Sequence, residues 1–157
     1  MLEVKQTIMK GGFVQNRSKN RGNRRRIQHP TVMVGIVPYR GKVLIVKRTK
    51  PNGHNLTWVF PGGKKQGRET QMATVVREVR EETGCEVKPL VKISKREHPD
   101  CDVVVSYFLC RMEGLPNRLA PLAKDTGEVR WAKPTDLSRF FTTDIDPRVA
   151  DVLATLC

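Results

Sequence analysis

The residues best suited to chemistry are four glutamates within residues 63–85, namely Glu69, Glu78, Glu81 and Glu82. Apolar residues recur in the same stretch at the spacing of one helix face: Met72, Val75, Val76 and Val79. At roughly 100° per residue, Glu78 and Glu82 share a helix face, and Glu81 lies one turn from Glu78. Because like charges at this spacing destabilise a helix, their crowding indicates a bound cation. Oxygen-only ligands suit a hard divalent ion, Mg²⁺ or Mn²⁺, and not zinc.

The residues on both sides of the glutamates favour a metal site over the alternative, a solvated acidic helix face. Upstream, Trp58–Gly63 is an apolar, strand-like run interrupted by Pro-Gly-Gly, so the backbone turns sharply before the helix. Downstream, Gly84 is the usual residue to end a helix. The spacing from Gly63 through Glu69 to residues 77–85 resembles the Nudix box, with every polar position filled. Cys85 departs from the family's aliphatic residue, but a free cysteine is itself a small hydrophobe.

The resemblance extends beyond the box, over about residues 30–157. Three segments are similar to the opening strands of the MutT branch, the nucleoside triphosphate pyrophosphohydrolases: Val34–Val37, Ile45–Arg48 and Trp58–Gly63. The resemblance implies an α/β/α sandwich with a mixed β-sheet. It also implies attack of water on a phosphorus within a nucleoside diphosphate that is linked to another group.

The same resemblance implies roles for individual residues. Glu78, Glu81 and Glu82 would bind the metal, with the backbone carbonyl of Gly62 as a further ligand. Glu78 would also be the general base, and Arg77 would orient the carboxylates. The predicted catalytic residues are therefore Glu78, Arg77 and Glu81.

Further site residues are predicted outside the box. Glu128 stands where the family often has a later acidic metal ligand, and an ordinary surface glutamate is an equal alternative. Arg48 is similar to a phosphate-binding arginine of MutT-like enzymes, the alternative being a surface arginine at a strand end. Additional substrate contacts are predicted at Phe60, Pro61 and Gly62.

Composition and length predict one α/β domain, since 157 residues with 38% hydrophobic content can bury a single core. No apolar run approaches the ~20 residues that cross a bilayer, so no membrane association is expected. The cysteines lack metal-ligand spacing and predict reduced thiols in the cytoplasm; they are Cys85, Cys101, Cys110 and Cys157. A monomer or a homodimer is expected.

The net charge of +13 is unevenly distributed. Residues 1–28 carry eight basic side chains against Glu3, a net charge of +7, and are rich in Gly, Asn and Arg without periodicity. They predict a basic, flexible arm preceding a Nudix hydrolase domain at residues 29–157. Contact of the arm with RNA or polyphosphate is one interpretation, and a solubilising tail is the other.

The order of elements predicts a mixed sheet with helices on both faces. A hairpin is expected at residues 31–47, with its turn at Pro38–Gly41. Further strands are expected at Trp58–Phe60, Glu86–Lys95, Val103–Arg111 and Val129–Ala132. After the glutamate helix, a helical turn is expected at Asp136–Phe141 and a closing helix at Pro147–Leu156.

Three functions remain open. The first is Mg²⁺-dependent hydrolysis of a nucleoside triphosphate, canonical or oxidised, to a monophosphate and pyrophosphate. The second keeps this chemistry but acts on dinucleoside polyphosphates, nucleotide sugars or the 5′ end of RNA. The third is a non-catalytic module that senses a nucleotide, against which the intact box argues.

Overall fold

Two four-stranded sheets and two helices form most of the chain that the computed structural model describes, which is residues 29–50, 56–116 and 119–156. The predicted basic arm, residues 1–28, lies outside the described residues. The strands are Thr31–Ile36 (β1), Pro38–Tyr39 (β2), Lys42–Arg48 (β3), Trp58–Val59 (β4), Gly62–Lys64 (β5), Val87–Glu97 (β6), Val104–Met112 (β7) and Thr126–Ala132 (β8). The helices are Gln71–Thr83 (α1) and Pro147–Leu156 (α2), with a short 3₁₀ helix at Pro134–Arg139.

The strands divide between two sheets, whereas the sequence predicted one mixed sheet. The first sheet has the order β5-β1-β7-β6 and is mixed, because β1 and β7 run parallel while the other neighbours run antiparallel. The second sheet is antiparallel and is centred on β3, which pairs with β2, β4 and β8. Strand β5 was not predicted. It is formed by the Gly-Gly segment expected to be a turn, and Gly62 pairs with Val34 in β1.

The two faces of β1 serve two hydrophobic clusters because side chains alternate along a strand. Met33 and Val37 belong to the cluster that contains Val75 and Val79 of α1. The alternate residues of β1 belong to the cluster that contains α2 residues; these are Val34 and Ile36, with Val149 and Leu153 of α2. Helices therefore pack against both faces, and the predicted α/β class with helices on both sides is confirmed.

Helix α1 buries a different stripe from the predicted one. Val75 and Val79 are fully buried as expected, but Met72 is 46% exposed. Thr74 and Thr83 are fully buried in its place, because each hydroxyl finds hydrogen-bond partners within or beside the helix. Among the described helices, none is long and apolar enough to span a membrane.

The close approach of α1 to β1 depends on Gly35. A Cβ atom at this position would lie 2.8 Å from Cγ2 of Val79 and 3.2 Å from Cγ1 of Val75. Both valines are fully buried and branched at Cβ, so neither can move aside easily. The missing side chain lets the glutamate helix sit directly on the sheet.

Replacing Gly35 by Ala should displace α1 and lower the free energy of unfolding by about 1–3 kcal/mol, the range for overpacking a core. The matched control is Gly127→Ala, since Gly127 is exposed and its nearest neighbour is the methyl group of Thr49, which is itself exposed and not packed in the core. Urea unfolding of both variants measures the difference. Equal stability of the two variants would contradict the packing role of Gly35.

Candidate active site

Helix α1 positions the glutamates, and both of its ends are defined by specific hydrogen bonds. Thr70 caps the beginning, where its hydroxyl accepts a hydrogen bond from the N–H of Ala73. At the other end, the N–H of Gly84 donates to the carbonyl of Arg80. Because both ends are fixed, the residues of the last two turns keep a defined orientation toward β5.

Arg77 connects the glutamates to one another and to the sheet. Its Nε donates to Glu69 at 2.7 Å, and its Nη1 donates to Glu78 at 2.8 Å and to Glu81 at 3.1 Å. Its Nη2 donates to Glu69 and to the backbone carbonyl of Lys64 in β5. These five hydrogen bonds equal the number of N–H groups of a guanidinium. The predicted orienting role of Arg77 thus corresponds to a physical contact with three carboxylates.

Glu69 and Glu78 differ in pKa because their surroundings differ. The hydrogen bonds from Arg77 and the backbone N–H of Gln66 lower the pKa of Glu69 to about 2, so this side chain is a permanent anion. Burial raises the pKa of Glu78, although Arg77 opposes the rise. Glu69 is therefore suited to holding Arg77, and Glu78 to accepting a proton.

Glu82 is bound to the sheet independently of Arg77. Its Oε2 accepts a hydrogen bond of 2.8 Å from the N–H of Gly62 in β5. Burial raises the pKa of Glu82 to about 8, since the single hydrogen bond and Arg48 do not offset the loss of water. The neighbouring Gly63 lies so close to the Glu78 carboxylate that any side chain there would overlap with it.

Asp125 is a further acidic residue of the site, and the sequence analysis missed it. The loop before it is bound to the end of α1, because the N–H groups of Leu122 and Ala123 donate to the carbonyl of Glu81. The carbonyl of Asp125 itself accepts from the N–H of Thr49 at 2.8 Å. The loop thus brings a fourth carboxylate into the cleft described below.

Glu128, the predicted later ligand, is not brought to the cleft by the structure. The strand predicted to start at Val129 starts at Thr126, so Glu128 lies inside β8 opposite Lys47. Its carboxylate is paired with Arg130 at 2.5 Å. The available signal in the sequence was an acidic residue at the end of the preceding loop, which is Asp125.

The carboxylates line one side of a cleft of about 680 Å³. The lining includes the acidic residues Glu78, Glu81, Glu82 and Asp125. Arg48, Phe60 and Gly62 also line it, as predicted for substrate contacts, whereas Pro61 does not. Pro61 is buried and its carbonyl accepts a hydrogen bond from the N–H of Gly35, so it shapes the turn before β5.

Arg48 and Phe60 present complementary chemistry to the cleft. The Nε of Arg48 is buried and has no hydrogen-bond partner among the described residues. A buried guanidinium donor without a partner is suited to an anionic ligand. Phe60 packs edge-on against Phe141 with a centroid distance of 4.8 Å, which gives the cleft an aromatic wall.

The arrangement has a counterpart among known proteins. The model of the NUDIX domain family matches residues 29–156, which includes all the residues of the site. The chain belongs to the Nudix family. The prediction of a Nudix pyrophosphohydrolase is thereby confirmed at the level of the family.

Individual Nudix relatives agree with this assignment. The chain is 34% identical over 121 residues to Nucleoside diphosphate-linked moiety X motif 6 of Xenopus laevis, covering 72% of this chain and 54% of that protein. It thus spans about half the length of that relative. It is also 28% identical over 125 residues to a MutT-like protein of Streptomyces ambofaciens, covering 80% and 77% of the two chains. The fold is similar to that of a NUDIX hydrolase from Nitrosomonas europaea, with a TM-score of 0.66 at 19% identity, covering 82% and 91%.

The Nudix family implies a divalent metal, and the residues of the site agree with such an ion in their chemistry. The charges of Glu78 and Asp125 add to the burial that raises the pKa of Glu82, and all three residues line the cleft and offer oxygen ligands. In the part of the chain that the structure describes, no three acidic, His or Cys side chains converge into a formed metal site. Glu78 and Glu81 instead direct an oxygen each to Arg77. The donor set therefore fits Mg²⁺ or Mn²⁺ by type.

The raised pKa of Glu82 predicts how the metal-free protein responds to pH. Between the unfolded value of 4.5 and about 8, folded Glu82 holds a proton that the unfolded chain releases. The contribution of Glu82 to the free energy of unfolding is therefore fully present below the pKa of the unfolded chain, and it is lost as the pH rises toward about 8. In EDTA, the thermal midpoint should therefore fall between about pH 5.5 and pH 8.

Glu82→Gln should flatten that decline, because an amide keeps a hydrogen-bond acceptor for Gly62 but does not titrate. The matched control is Glu97→Gln, at an exposed position on β6, which should decline as the wild type does. An unchanged pH dependence in Glu82→Gln would contradict the buried, protonated state of this side chain.

Proposed function

We propose that the chain is a divalent-metal-dependent Nudix hydrolase that cleaves a pyrophosphate bond in a nucleoside triphosphate or a related nucleoside diphosphate-linked compound. One observation carries the proposal: Arg77 joins three carboxylates at the edge of a cleft that also contains Glu82 and the unpartnered donor of Arg48. Such a cleft combines groups for cations with groups for phosphates. The similarity to a MutT-like relative and to one named for nucleoside diphosphate-linked moieties supports the same substrate class.

The proposed metal ligands are Glu78, Glu81 and Glu82, with the backbone carbonyl of Gly62 as predicted. We assign the later acidic position to Asp125 in preference to Glu128, because Asp125 lines the cleft and Glu128 is paired with Arg130. Mg²⁺ or Mn²⁺ bound there would neutralise the phosphates and so allow an anionic nucleophile to approach.

Glu78 is the proposed general base. Its carboxylate accepts a proton from the attacking water, and burial, which raises its pKa, makes it a stronger base. Arg77 holds one carboxylate oxygen, Oε1, at 2.8 Å and thereby restricts the orientation of the other. Glu69 keeps Arg77 in place through two hydrogen bonds, so the base remains oriented even when its own charge changes.

Arg48 is the proposed phosphate-binding residue. Its Nε is available to a charge-assisted hydrogen bond that no described residue supplies. Lys64 and Lys65 line the same cleft and add positive charge next to the carboxylates. A phosphate chain would therefore lie between the basic side chains and the glutamates.

Other parts of the function remain proposals. Dinucleoside polyphosphates, nucleotide sugars and RNA 5′ ends are alternative substrates, and the basic arm would contact RNA or polyphosphate. A non-catalytic, nucleotide-sensing module is the alternative without chemistry.

The free thiols of Cys85, Cys101 and Cys110 support a reducing compartment, the cytoplasm. A monomer or a homodimer remains the expectation.

The proposed function predicts that wild-type protein hydrolyses at least one member of a nucleotide panel with Mg²⁺ or Mn²⁺ and not with EDTA. The panel contains normal and oxidised nucleoside triphosphates, ADP-ribose, a dinucleoside tetraphosphate, a nucleotide sugar and 5′-triphosphorylated RNA. Phosphate release and product chromatography distinguish pyrophosphate from inorganic phosphate.

Glu78→Gln should lower kcat by more than about tenfold, since a neutral amide cannot serve as the general base. Tight nucleotide binding without turnover by the wild type would favour the sensing module.

The assignment of the later acidic ligand predicts opposite results for two neighbouring variants. Asp125→Asn should lower kcat/KM by about tenfold or more and raise the Mg²⁺ concentration needed for half-maximal activity. Glu128→Gln should leave both quantities within about twofold, because this carboxylate pairs with Arg130 outside the cleft. If Glu128→Gln has the larger effect, the role belongs to Glu128 as the sequence suggested.

A further inference from the structure

The cleft has a second wall, formed by elements other than those that carry the glutamates. We define this second wall as residues 98–103, which join β6 to β7, together with residues 142–146, which precede α2. Lining residues from the second wall are His98, Cys101, Val103, Thr143, Asp144, Ile145 and Asp146. Asp144 is exposed, whereas Asp146 is only 4% exposed.

Arg96, at the end of β6, connects the second wall to the sheet. Its Nη2 donates to the backbone carbonyl of Asp144 at 2.7 Å, across 48 residues of chain. Its Nε lies 3.4 Å from Oδ2 of Asp146, an ion-pair distance without hydrogen-bond geometry. Arg96 also forms a hydrogen bond with Tyr107, another lining residue, and this bond opposes the rise that burial causes in the pKa of the tyrosine.

Two further contacts fix the same wall. The other oxygen of Asp146, Oδ1, accepts hydrogen bonds from the N–H groups of Arg148 and Val149 at the start of α2. The hydroxyl of Thr143 donates to Asp100 Oδ2 at 2.5 Å, which joins the two segments of the wall. Arg96 connects residues 142–146 to β6 in addition to these contacts.

The charges of the second wall indicate which part of a substrate it faces. The exposed carboxylate of Asp144 repels phosphates, whereas Arg48, Lys64 and Lys65, which line the same cleft, attract them. The uncharged part of the substrate is thus left for the second wall. Carboxylates accept hydrogen bonds from amino and hydroxyl groups, and the adjoining aromatic and apolar side chains can contact a planar ring.

We propose that Arg96 is a positioning residue that fixes the second wall and thereby determines which nucleoside the enzyme accepts. The proposal rests on the proposed function, since it assumes a nucleotide in the cleft. Arg96 does not line the cleft and acts through Tyr107, Asp144 and Asp146. It belongs to substrate selection and not to the chemical step, because its contacts lie apart from the Arg77 network.

The test compares Arg96→Met with Arg96→Lys and with Arg111→Met as the control. Arg111 lies on the neighbouring strand β7, is 62% exposed and pairs with Glu113. Lysine at position 96 keeps a cation for Asp146 but has no planar fork to reach the carbonyl of Asp144 at the same time. Circular dichroism verifies that each variant is folded.

The first measurement is hydrogen exchange of the amides, which needs no substrate. Arg96→Met should accelerate exchange in residues 98–103 and 142–146 by about tenfold or more and leave α1 unchanged. Arg96→Lys should restore part of the protection, and Arg111→Met should behave as the wild type. Unchanged exchange of both segments in Arg96→Met would overturn the proposal.

The second measurement is kcat and KM for ATP, GTP, CTP, UTP and ITP. Arg96→Met should reduce the ratio of kcat/KM between the best and the worst substrate by about tenfold, through KM, while kcat stays within about threefold. Retained selection, or a loss confined to kcat, would overturn the assignment. If the wild type hydrolyses no nucleotide of the larger panel, the proposed function fails. Wild-type activity with retained selection in Arg96→Met refutes the role of Arg96 alone.

Discussion

The contact of Arg77 with Glu69, Glu78 and Glu81 is the interaction on which the site depends. Three carboxylates on or before one helix repel one another, and one guanidinium with five donors compensates this repulsion at contact distances of 2.7–3.2 Å. Because Arg77 also binds the carbonyl of Lys64, the same side chain attaches the acidic helix to the sheet. The same side chain therefore neutralises the carboxylates and holds the helix against the sheet.

The attachment requires α1 and the sheet to approach closely, and glycines in the neighbouring strands β1 and β5 make this possible. Gly35 lets the valines of α1 rest on β1, and Gly63 leaves room for the Glu78 carboxylate. Gly62 contributes its N–H to Glu82. Burial raises the pKa of Glu82 although this hydrogen bond opposes the rise, so a nearby cation would favour its ionisation.

The cleft combines basic, acidic and apolar side chains, and this combination connects its structure to its proposed use. Arg48 and two lysines lie where phosphates would be bound, with the glutamates and Asp125 beside them. The second wall presents the carboxylates of Asp144 and Asp146 and is held by Arg96. A nucleotide has an anionic chain at one end and an uncharged base at the other. In the proposed function, the basic groups and the second wall would orient such a substrate.

The sequence by itself determined the features that depend on local spacing. The glutamate helix, its end at Gly84 and the family could be predicted because periodicity, capping and turn residues act within a few positions. The predicted hairpin of residues 31–47 was wrong, because β1 and β3 lie in different sheets and β3 pairs with the short strand β2 instead. The role of Arg77 was predicted from the resemblance to the Nudix box. Only the tertiary structure shows that Asp125 lines the cleft and that Glu128 does not, since the starting residue of β8 depends on its pairing with β3. Likewise, the exposure of Met72, the division into two sheets, the raised pKa of Glu82 and the contact of Arg96 with Asp144 arise between segments distant in the chain. Their geometry is set by packing, which no local pattern of residues encodes.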